Sequence, residues 1–144
     1  MSVGVYFKKL RPDAQLPKYA HPDDSGADVC TTEEITIPPG ELRMIPTGIA
    51  VQLPPGYEIQ VRSKGGIASK KQCFVLNSPG TVDEGYRGEI MVIMQNVGKD
   101  EETFNKGDKV AQLVVAPYIQ ATFLEQAELT DTMRGAGGFG STGK

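Results

Sequence analysis

The sequence predicts an all-β fold, and two features of its 144 residues support that prediction. Short apolar stretches alternate with polar residues at the period of a half-buried strand, and turn residues separate them at spacings of roughly ten residues. The turns draw on 17 glycines and 10 prolines spread along the chain. This pattern is typical of a sandwich, a jelly roll or a barrel.

The predicted strands lie between turns made of proline and glycine. The alternating segments are, in chain order, residues 3–7, 35–37, 45–53, 57–61 and 90–94, and an almost continuous apolar run covers residues 110–117. Two of these segments end at a Pro-Pro-Gly turn, where proline cannot continue a hydrogen-bonded ladder. One short helix is predicted over residues 67–71, after two adjacent glycines.

Residues 131–144 differ in composition from the rest of the chain. Glycine recurs through them, and glycine at that density weakens helix and strand alike. We therefore predict one domain over residues 1–144, of which residues 131–144 form a flexible C-terminal arm.

Composition narrows the classes of function. The net charge is −3 at pH 7, which argues against a nucleic-acid partner because proteins that bind the phosphate backbone carry a basic excess. His21 is the only histidine, which excludes a Ser-His-Asp triad elsewhere and a metal centre with several histidines. Any hydrolysis must then use carboxylates, with a hard cation held by oxygen ligands.

The cysteines and the apolar runs bear on location. Cys30 and Cys73 are far apart and lack a CxxC spacing, which favours reduced thiols in a reducing compartment. The amino terminus has no long apolar segment, and no apolar run approaches the roughly 20 residues of a membrane span. We expect a cytoplasmic protein without a membrane partner, and a nuclear or virus-infected-cell location stays open.

Two glycine-containing segments suit the binding of phosphate. In the first, Lys64 precedes Gly65 and Gly66 at a possible helix start, where free N–H groups favour an anion. In the second, Arg134 and Phe139 stand among glycines that let the backbone wrap a polyphosphate. The alternative for the first segment is a plain strand-to-helix turn, and for the second it is a disordered tail.

Three other positions could contribute to a site. Residues 77–88 contain turn residues around Asp83, with Tyr86 offering an apolar face for a sugar or a base. Gln112 is a polar residue inside an apolar strand, so it needs a partner. Asp28 follows a Ser-Gly-Ala turn. The alternative for residues 77–88 is a plain hairpin. For Gln112 it is a structural hydrogen bond to a neighbour, and for Asp28 it is a turn or capping carboxylate.

Together and in this order, five segments resemble the five ordered motifs of the trimeric dUTP diphosphatases, the dUTPase family. They are SGADV at residues 25–29, RSKGGIASK at 62–70, LNSPGTVDEGYRGEI at 76–90, GDKVAQL at 107–113 and RGAGGFGSTG at 134–143. The third and fifth matches are the most specific. The resemblance implies a β-clip or jelly-roll-like fold and a homotrimer with active sites at the subunit interfaces. Each site would be closed by the C-terminal arm of another subunit.

The resemblance also implies the reaction. Water attacks the α-phosphorus of dUTP and releases dUMP and diphosphate, which limits uracil incorporation into DNA and supplies dUMP for dTMP synthesis. Asp83 would orient and deprotonate the water. Mg²⁺ on the triphosphate would be reached by Asp28 through water, and a ring of donors would stabilise the developing charge.

Substrate contacts are carried over on the same basis. The phosphates would meet Lys64, Gly65, Gly66, Gln112, Arg134, Gly140, Ser141 and Thr142. The uracil would meet the backbone of residues 77–82, within which Asn77, Gly80, Thr81 and Val82 are singled out, in a turn too narrow for a 5-methyl group. Tyr86 would pack under the deoxyribose and exclude a ribose, Phe139 would stack over the uracil, and Met91 would lie near the substrate.

The second motif departs from the family pattern Arg-Ser-Gly-Leu-Ala. Lys64 replaces the arginine, which keeps the charge but loses the planar fork. Gly65 replaces the serine and loses a hydroxyl that would donate to a phosphate oxygen, a bond worth roughly 1.5–3 kcal/mol. That corresponds to about one to two decades in rate if the bond forms only in the transition state.

Two other functions stay open. A dCTP deaminase of the same fold would need a glutamate near the base, where this chain has Thr81, Val82 and Asp83. A nucleotide-responsive binding or regulatory protein on a dUTPase-like scaffold is suggested by the altered second motif.

Overall fold

The computed structural model describes residues 2–143 and is built almost entirely from short strands. Its elements are β1 Tyr6–Lys9, β2 Ala27–Cys30, β3 Ile35–Ile37, β4 Leu42–Pro46, β5 Ile49–Gln52, β6 Tyr57–Arg62, α1 Gly65–Lys71, β7 Cys73–Val75, β8 Gly80–Val82, β9 Met91–Asn96, β10 Glu102–Phe104 and β11 Lys109–Pro117. The prediction of an all-β fold with one short helix is confirmed.

The strands pair antiparallel in four small sheets. The largest has the order β2-β11-β6-β8, a three-stranded sheet has the order β4-β9-β7, and two pairs join β1 to β5 and β3 to β10. Strands that are distant in sequence are therefore neighbours in space. In β11, Gln112 pairs with Asp28 of β2 on one side and with Arg62 of β6 on the other.

The core lies between the sheets and follows the alternation of the strands. Every second residue of β9 is buried, including Val92 and Met94. They pack with apolar side chains of the other sheets, among which Ile37, Ile59 and Phe104 are almost fully buried. Each such burial stabilises the fold by about 1.5–3 kcal/mol, so the core holds the sheets, and with them the loops, in place.

The structure corrects three local expectations. The alternating segment 45–53 is divided into β4 and β5, because Gly48 adopts a positive φ of 69° and turns the chain. Helix α1 begins at Gly65, two residues before the predicted start. The segment 77–88 is not a tight two-stranded hairpin: it connects β7 to β9, which pair antiparallel with each other, and β8 within it pairs with β6.

After β11 the chain contains no further strand or helix up to residue 143. Its apolar side chains are almost fully exposed, with Ile119 at 95%, Phe123 at 94% and Leu124 at 84%. Among the described residues, every hydrogen bond of residues 119–143 stays within that segment. None of the helices in the described part of the chain has the length and apolar character to span a bilayer.

Candidate active site

One concave site, here called the apolar pocket, lies beside β8 and β9. Its lining residues are Met44, Val61, Asn77, Gly80, Thr81, Val82, Tyr86, Glu89, Ile90, Met91 and Ile93. Its volume of about 170 Å³ is below the roughly 300–1,000 Å³ of a pocket that encloses a whole small-molecule ligand. The apolar pocket therefore suits one part of a ligand rather than all of it.

Strand β8 gives the apolar pocket a polar edge. It is the last strand of its sheet and pairs only with β6 among the described residues. An edge strand presents unpaired N–H and C=O groups on its outer side. Those backbone groups can pair with a flat, polar ring. The space at Gly80 is narrow, since an added Cβ there would lie 3.1 Å from Asn77 Nδ2.

The Tyr86 ring is fixed at the mouth of the apolar pocket. Its hydroxyl donates to the Glu89 backbone carbonyl at 2.8 Å, and the Glu89 carboxylate accepts from the Gly48 amide at 3.0 Å. Gly88 makes room for the ring, because an added Cβ would lie 2.5 Å from the Tyr86 hydroxyl oxygen. The ring nevertheless stays 44% exposed, so it can contact a ligand.

Asp83 follows the last residue of β8 directly. Its side chain is exposed, and no hydrogen bond or ion pair to it occurs within residues 2–143. The Tyr86 amide donates to the Asp83 carbonyl at 3.0 Å, which closes a tight turn under the carboxylate. The carboxylate of Asp83 therefore stands without a side-chain partner, among the described residues, on a closed turn beside the apolar pocket.

A second concave site, here called the charged pocket, lies on the other side of β6. It is about 340 Å³ in volume and is lined by Ala20, His21, Asp24, Ser25, Gly26, Asp28, Lys64 and Gln112. It shares no lining residue with the apolar pocket. It brings together three of the predicted residues, Asp28, Lys64 and Gln112, from β2, the start of α1 and β11.

Asp28 is the electrostatic centre of the charged pocket. It is only 6% exposed, it accepts a hydrogen bond from the Lys64 ammonium, and Lys109 Nζ lies 2.9 Å from its other carboxylate oxygen. Burial acts to raise the pKa of Asp28, but the hydrogen bonds from Lys64 and Lys109 outweigh burial and lower the pKa below its usual value. The same contact raises the pKa of Lys109.

Gln112 is held by neighbours on both sides. Its Nε2 donates to the Ser63 carbonyl at 2.9 Å, which satisfies the polar group in an otherwise apolar strand. Gly26 faces it, and an added Cβ at Gly26 would overlap the Gln112 side chain, whose Cδ would lie 2.9 Å away. The Ser63 amide in turn donates to Ser78 Oγ at 3.3 Å, so one residue links the charged pocket to the chain entering β8.

The remaining predicted residues lie elsewhere. Gly65 and Gly66 form the exposed first turn of α1 with open space around each Cα. The arm residues Arg134, Phe139, Gly140, Ser141 and Thr142 line a concavity of the arm itself, which shares no lining residue with either pocket. In the arm, Arg134 Nε donates to the Gly137 carbonyl at 2.9 Å.

Sequence reasoning missed several lining residues. Met44 and Val61 enter the apolar pocket from other strands, and Lys109 reaches Asp28 across the β2-β11 pair. Lys109 lies inside the fourth quoted motif, so its charge could be read from the sequence, but its contact with Asp28 could not. His21 and Asp24 line the charged pocket and bond to each other through Nδ1 and Oδ2 at 3.2 Å.

Comparison with known proteins identifies the class. A family model described as dUTPase matches residues 12–143. A protein of Gloeothece citriformis named deoxyuridine 5'-triphosphate nucleotidohydrolase is 56% identical over 135 residues, covering 94% of this chain and 93% of its own length. One of the same name from Chlamydia trachomatis serovar L2 is 54% identical over 142 residues, covering 96% of this chain and 98% of its own.

Solved structures agree in fold. The Staphylococcus bacteriophage 80alpha dUTPase with dUpNHpp superposes with a TM-score of 0.88 at 26% identity, covering 99% of this chain and 100% of that chain. A variant dUTPase of Staphylococcus aureus phage phi11, which coordinates a structural Mg(II) ion, superposes with a TM-score of 0.82 at 24% identity, over 90% of this chain and 100% of that chain.

These matches define the chain as a nucleotide hydrolase with the jelly-roll-like all-β fold. It belongs to the dUTPase family. The resemblance inferred from the five motifs is confirmed.

Proposed function

We propose that this chain hydrolyses dUTP to dUMP and diphosphate. The observation that supports this most is Asp83, an exposed carboxylate without a side-chain partner among residues 2–143, directly after the edge strand that lines the apolar pocket. The segment 77–93 brings together backbone pairing groups, an aromatic face and this carboxylate.

The apolar pocket takes the uracil and the deoxyribose in this proposal. The outer backbone groups of β8, at Gly80, Thr81 and Val82, pair with the polar edge of uracil in this proposal, and the turn that carries them excludes a 5-methyl group. Asn77 flanks the base. Tyr86 lies under the sugar, where its fixed ring leaves no room for a 2′-hydroxyl, and Met91 completes the apolar wall.

Asp83 orients a water molecule toward the α-phosphorus and takes its proton. The water oxygen forms the new bond to phosphorus, and the bond to the bridging oxygen breaks, so that diphosphate leaves. Aspartate is a weak base. Most of the rate must therefore come from groups that stabilise charge on the phosphates.

The charged pocket and the arm supply those groups. Lys64 and Gln112 project into the charged pocket, and Gly65 and Gly66 add exposed backbone N–H groups at the helix start. The arm brings in Arg134 for a charge-assisted contact. Further arm contacts come from the hydroxyl and backbone groups of Gly140, Ser141 and Thr142 and from Phe139 stacked on the base.

The donor set of the charged pocket fits Mg²⁺ carried by the nucleotide. Within residues 2–143, no three potential ligand side chains cluster as in a dedicated protein site. Mg²⁺ commonly keeps several waters and binds through one or two carboxylates plus substrate phosphates, which matches a single buried Asp28 reaching the metal through water. When bound, the ion would neutralise charge on the phosphates. Because Lys64 now pairs with Asp28, we propose that Lys64 moves to the phosphates when the nucleotide arrives.

We further propose a homotrimer with its active sites between subunits. Three features support it: the apolar and charged pockets share no lining residue, the arm bonds only to itself in the described segment, and Ile119, Phe123 and Leu124 are exposed. In this arrangement, each pocket of a single chain is half of a site, and a second copy of the chain supplies the other half and covers the exposed apolar segment. The arm, over residues 131–144, would then close a site on a neighbouring subunit.

The first experiment measures diphosphate release from dUTP, dTTP, dCTP and UTP by the purified chain with Mg²⁺. We expect turnover of dUTP alone. Ammonia release from dCTP would indicate the deaminase, and dUTP binding without turnover would indicate the regulatory protein. No turnover of dUTP would overturn the proposal.

A mixing experiment tests the shared site. Asp83→Asn and a variant lacking residues 134–144 are each expected to be nearly inactive. After the two variants are unfolded and refolded together, some sites in the mixed trimers should combine Asp83 from the truncated variant with the arm from the Asp83→Asn variant. If the two parts come from different subunits, about a quarter of the sites should be intact. No recovery, or a monomer in sedimentation, would contradict the shared site.

We also propose a cytoplasmic location, because the thiols of Cys30 and Cys73 are both free, as in a reducing compartment. Cell fractionation with an antibody to the chain tests it, and recovery in a secreted or membrane fraction would contradict it.

A further inference from the structure

Three segments meet at the side chain of Glu84, next to Asp83. The Gly56 amide, in the turn between β5 and β6, donates to Glu84 Oε2 at 3.0 Å. The Tyr118 hydroxyl, just after β11, donates to the same oxygen. The Tyr118 amide also donates to the Gly56 carbonyl at 3.1 Å, so the three residues form a closed network.

The network depends on an ionised carboxylate. One oxygen accepts two hydrogen bonds, and bonds to an ionised acceptor are roughly twice as strong as neutral ones. The Tyr118 hydroxyl, and then the Gly56 amide, hold the pKa of Glu84 below its usual value. The same contact with Glu84 raises the pKa of Tyr118. Glu84 is therefore charged, and Tyr118 keeps its proton, across the neutral range.

The turn that carries Asp83 has few other attachments to the body of the domain. Its internal bonds, from the Tyr86 amide to the Asp83 carbonyl at 3.0 Å and from Arg87 Nη1 to the Glu84 carbonyl at 2.8 Å, shape the turn without tying it to another element. Among the described residues, the Glu84 carboxylate makes the side-chain hydrogen bonds that join this turn to Gly56 and Tyr118.

We propose that Glu84 is a positioning residue for the hydrolysis, which sets the direction of the neighbouring Asp83 carboxylate by fixing its turn to Gly56 and Tyr118. This inference rests on the proposed function. Since Tyr118 is the first residue after β11, the same carboxylate also fixes the point at which the C-terminal segment leaves the domain. The start of the C-terminal segment and the turn bearing Asp83 are thus held at one point.

The test compares Glu84→Gln with wild type under saturating and limiting dUTP. The amide keeps the size of the side chain but loses the charge. A displacement of about 1 Å at a reacting group can lower the rate on the order of 100-fold, and because Gln still offers one acceptor oxygen we expect a smaller fall in kcat, about tenfold. KM for dUTP and the affinity for dUpNHpp should stay within about twofold, because the network touches neither pocket lining.

Two further variants make the test specific. Tyr118→Phe removes one of the two donors and should lower kcat less than Glu84→Gln does. Glu102→Gln is the matched control, since Glu102 pairs with Lys71 at 3.2 Å and lines neither pocket. Its kcat should equal that of wild type.

The outcomes separate this inference from the proposed function. Wild-type turnover together with an unchanged kcat in Glu84→Gln overturns the positioning role alone. So does a loss of kcat that merely follows the unfolded fraction in a melting curve. A wild-type chain without turnover overturns the proposed function and, with it, this inference. A lowered kcat in a fully folded variant with unchanged dUpNHpp affinity supports the role.

Discussion

The apolar pocket takes most of its lining from one stretch of chain, residues 77–93. The charged pocket also takes most of its lining from one stretch, residues 20–28, but its charged and amide groups Asp28, Lys64 and Gln112 come from three separate places in the sequence. The apolar pocket leaves its nearby carboxylate, Asp83, without a partner among residues 2–143. The charged pocket neutralises its own, since Asp28 lies between two lysines.

Because of this difference, substitutions in the apolar pocket and in the charged pocket should have different effects. In the apolar pocket, the proposed selectivity depends on shape and on one carboxylate, so a local substitution should alter chemistry or selectivity while leaving the fold intact. In the charged pocket, Asp28, Lys64 and Gln112 already have polar partners, and a bound nucleotide would have to replace some of those contacts. A substitution there should change the balance of charge and of hydrogen bonds around the phosphates.

The largest expected effect comes from Asp83→Asn, which removes the proton acceptor. Loss of a general base lowers turnover by about 10²–10⁴-fold. Binding of dUpNHpp should be retained, and the melting temperature should not fall, because the carboxylate has no side-chain partner within the described chain. Diphosphate release and calorimetry measure both quantities.

The matched control is Asp100→Asn, at an exposed position outside both pockets, which should behave as wild type. Wild-type turnover in Asp83→Asn would remove this carboxylate from the chemistry.

Deleting residues 134–144 should have the next largest effect. It removes Arg134 and the hydroxyls proposed to hold the phosphates, and each charge-assisted bond contributes roughly 1.5–3 kcal/mol. We expect turnover to fall by at least about 100-fold. The melting temperature should barely change, since the described arm residues bond only to one another. A truncated chain that still turns over dUTP at the wild-type rate would contradict the proposed closure.

Gly65→Ser tests the altered second motif in the charged half. Open space surrounds the position, so the added hydroxyl fits without a clash, and one new bond to a phosphate oxygen should raise kcat by about tenfold. Gly65→Ala adds the same Cβ without the hydroxyl and is the matched control. Equal rates in the two variants would mean that the hydroxyl contributes nothing in this chain.

The smallest expected effect is a loss of selectivity in Gly88→Ala. The added Cβ would lie 2.5 Å from the Tyr86 hydroxyl oxygen, so the ring must move. The ratio of kcat/KM for dUTP over UTP should then fall, by about tenfold or less. Gly85→Ala is the matched control, because nothing lies within 4 Å of its added Cβ. An unchanged ratio would show that the ring does not exclude ribose.

Much of the fold was predictable, but the pairing of strands was not. Period-two alternation located β3, β6 and β9, because burial of one face leaves its mark on every second residue, and a nearly continuous apolar run located β11. It did not reveal that β8 pairs with β6, since alternation records which face of a strand is buried and not which strand lies beside it. It could not show either that residues 77–88 connect two paired strands, β7 and β9, while β8 between them joins another sheet.

The amino-acid sequence alone was enough to identify the family through its ordered motifs and to propose Asp83, Tyr86 and the arm residues for the site, because chemistry of this kind resides in residue types at fixed local spacings. The contacts of Lys64 and Lys109 with Asp28, and the network in which Glu84 joins Gly56 to Tyr118, emerged only from the three-dimensional structure. These contacts link residues far apart in the chain. Their formation depends on which strands pack together, and the global minimum of the fold determines that packing.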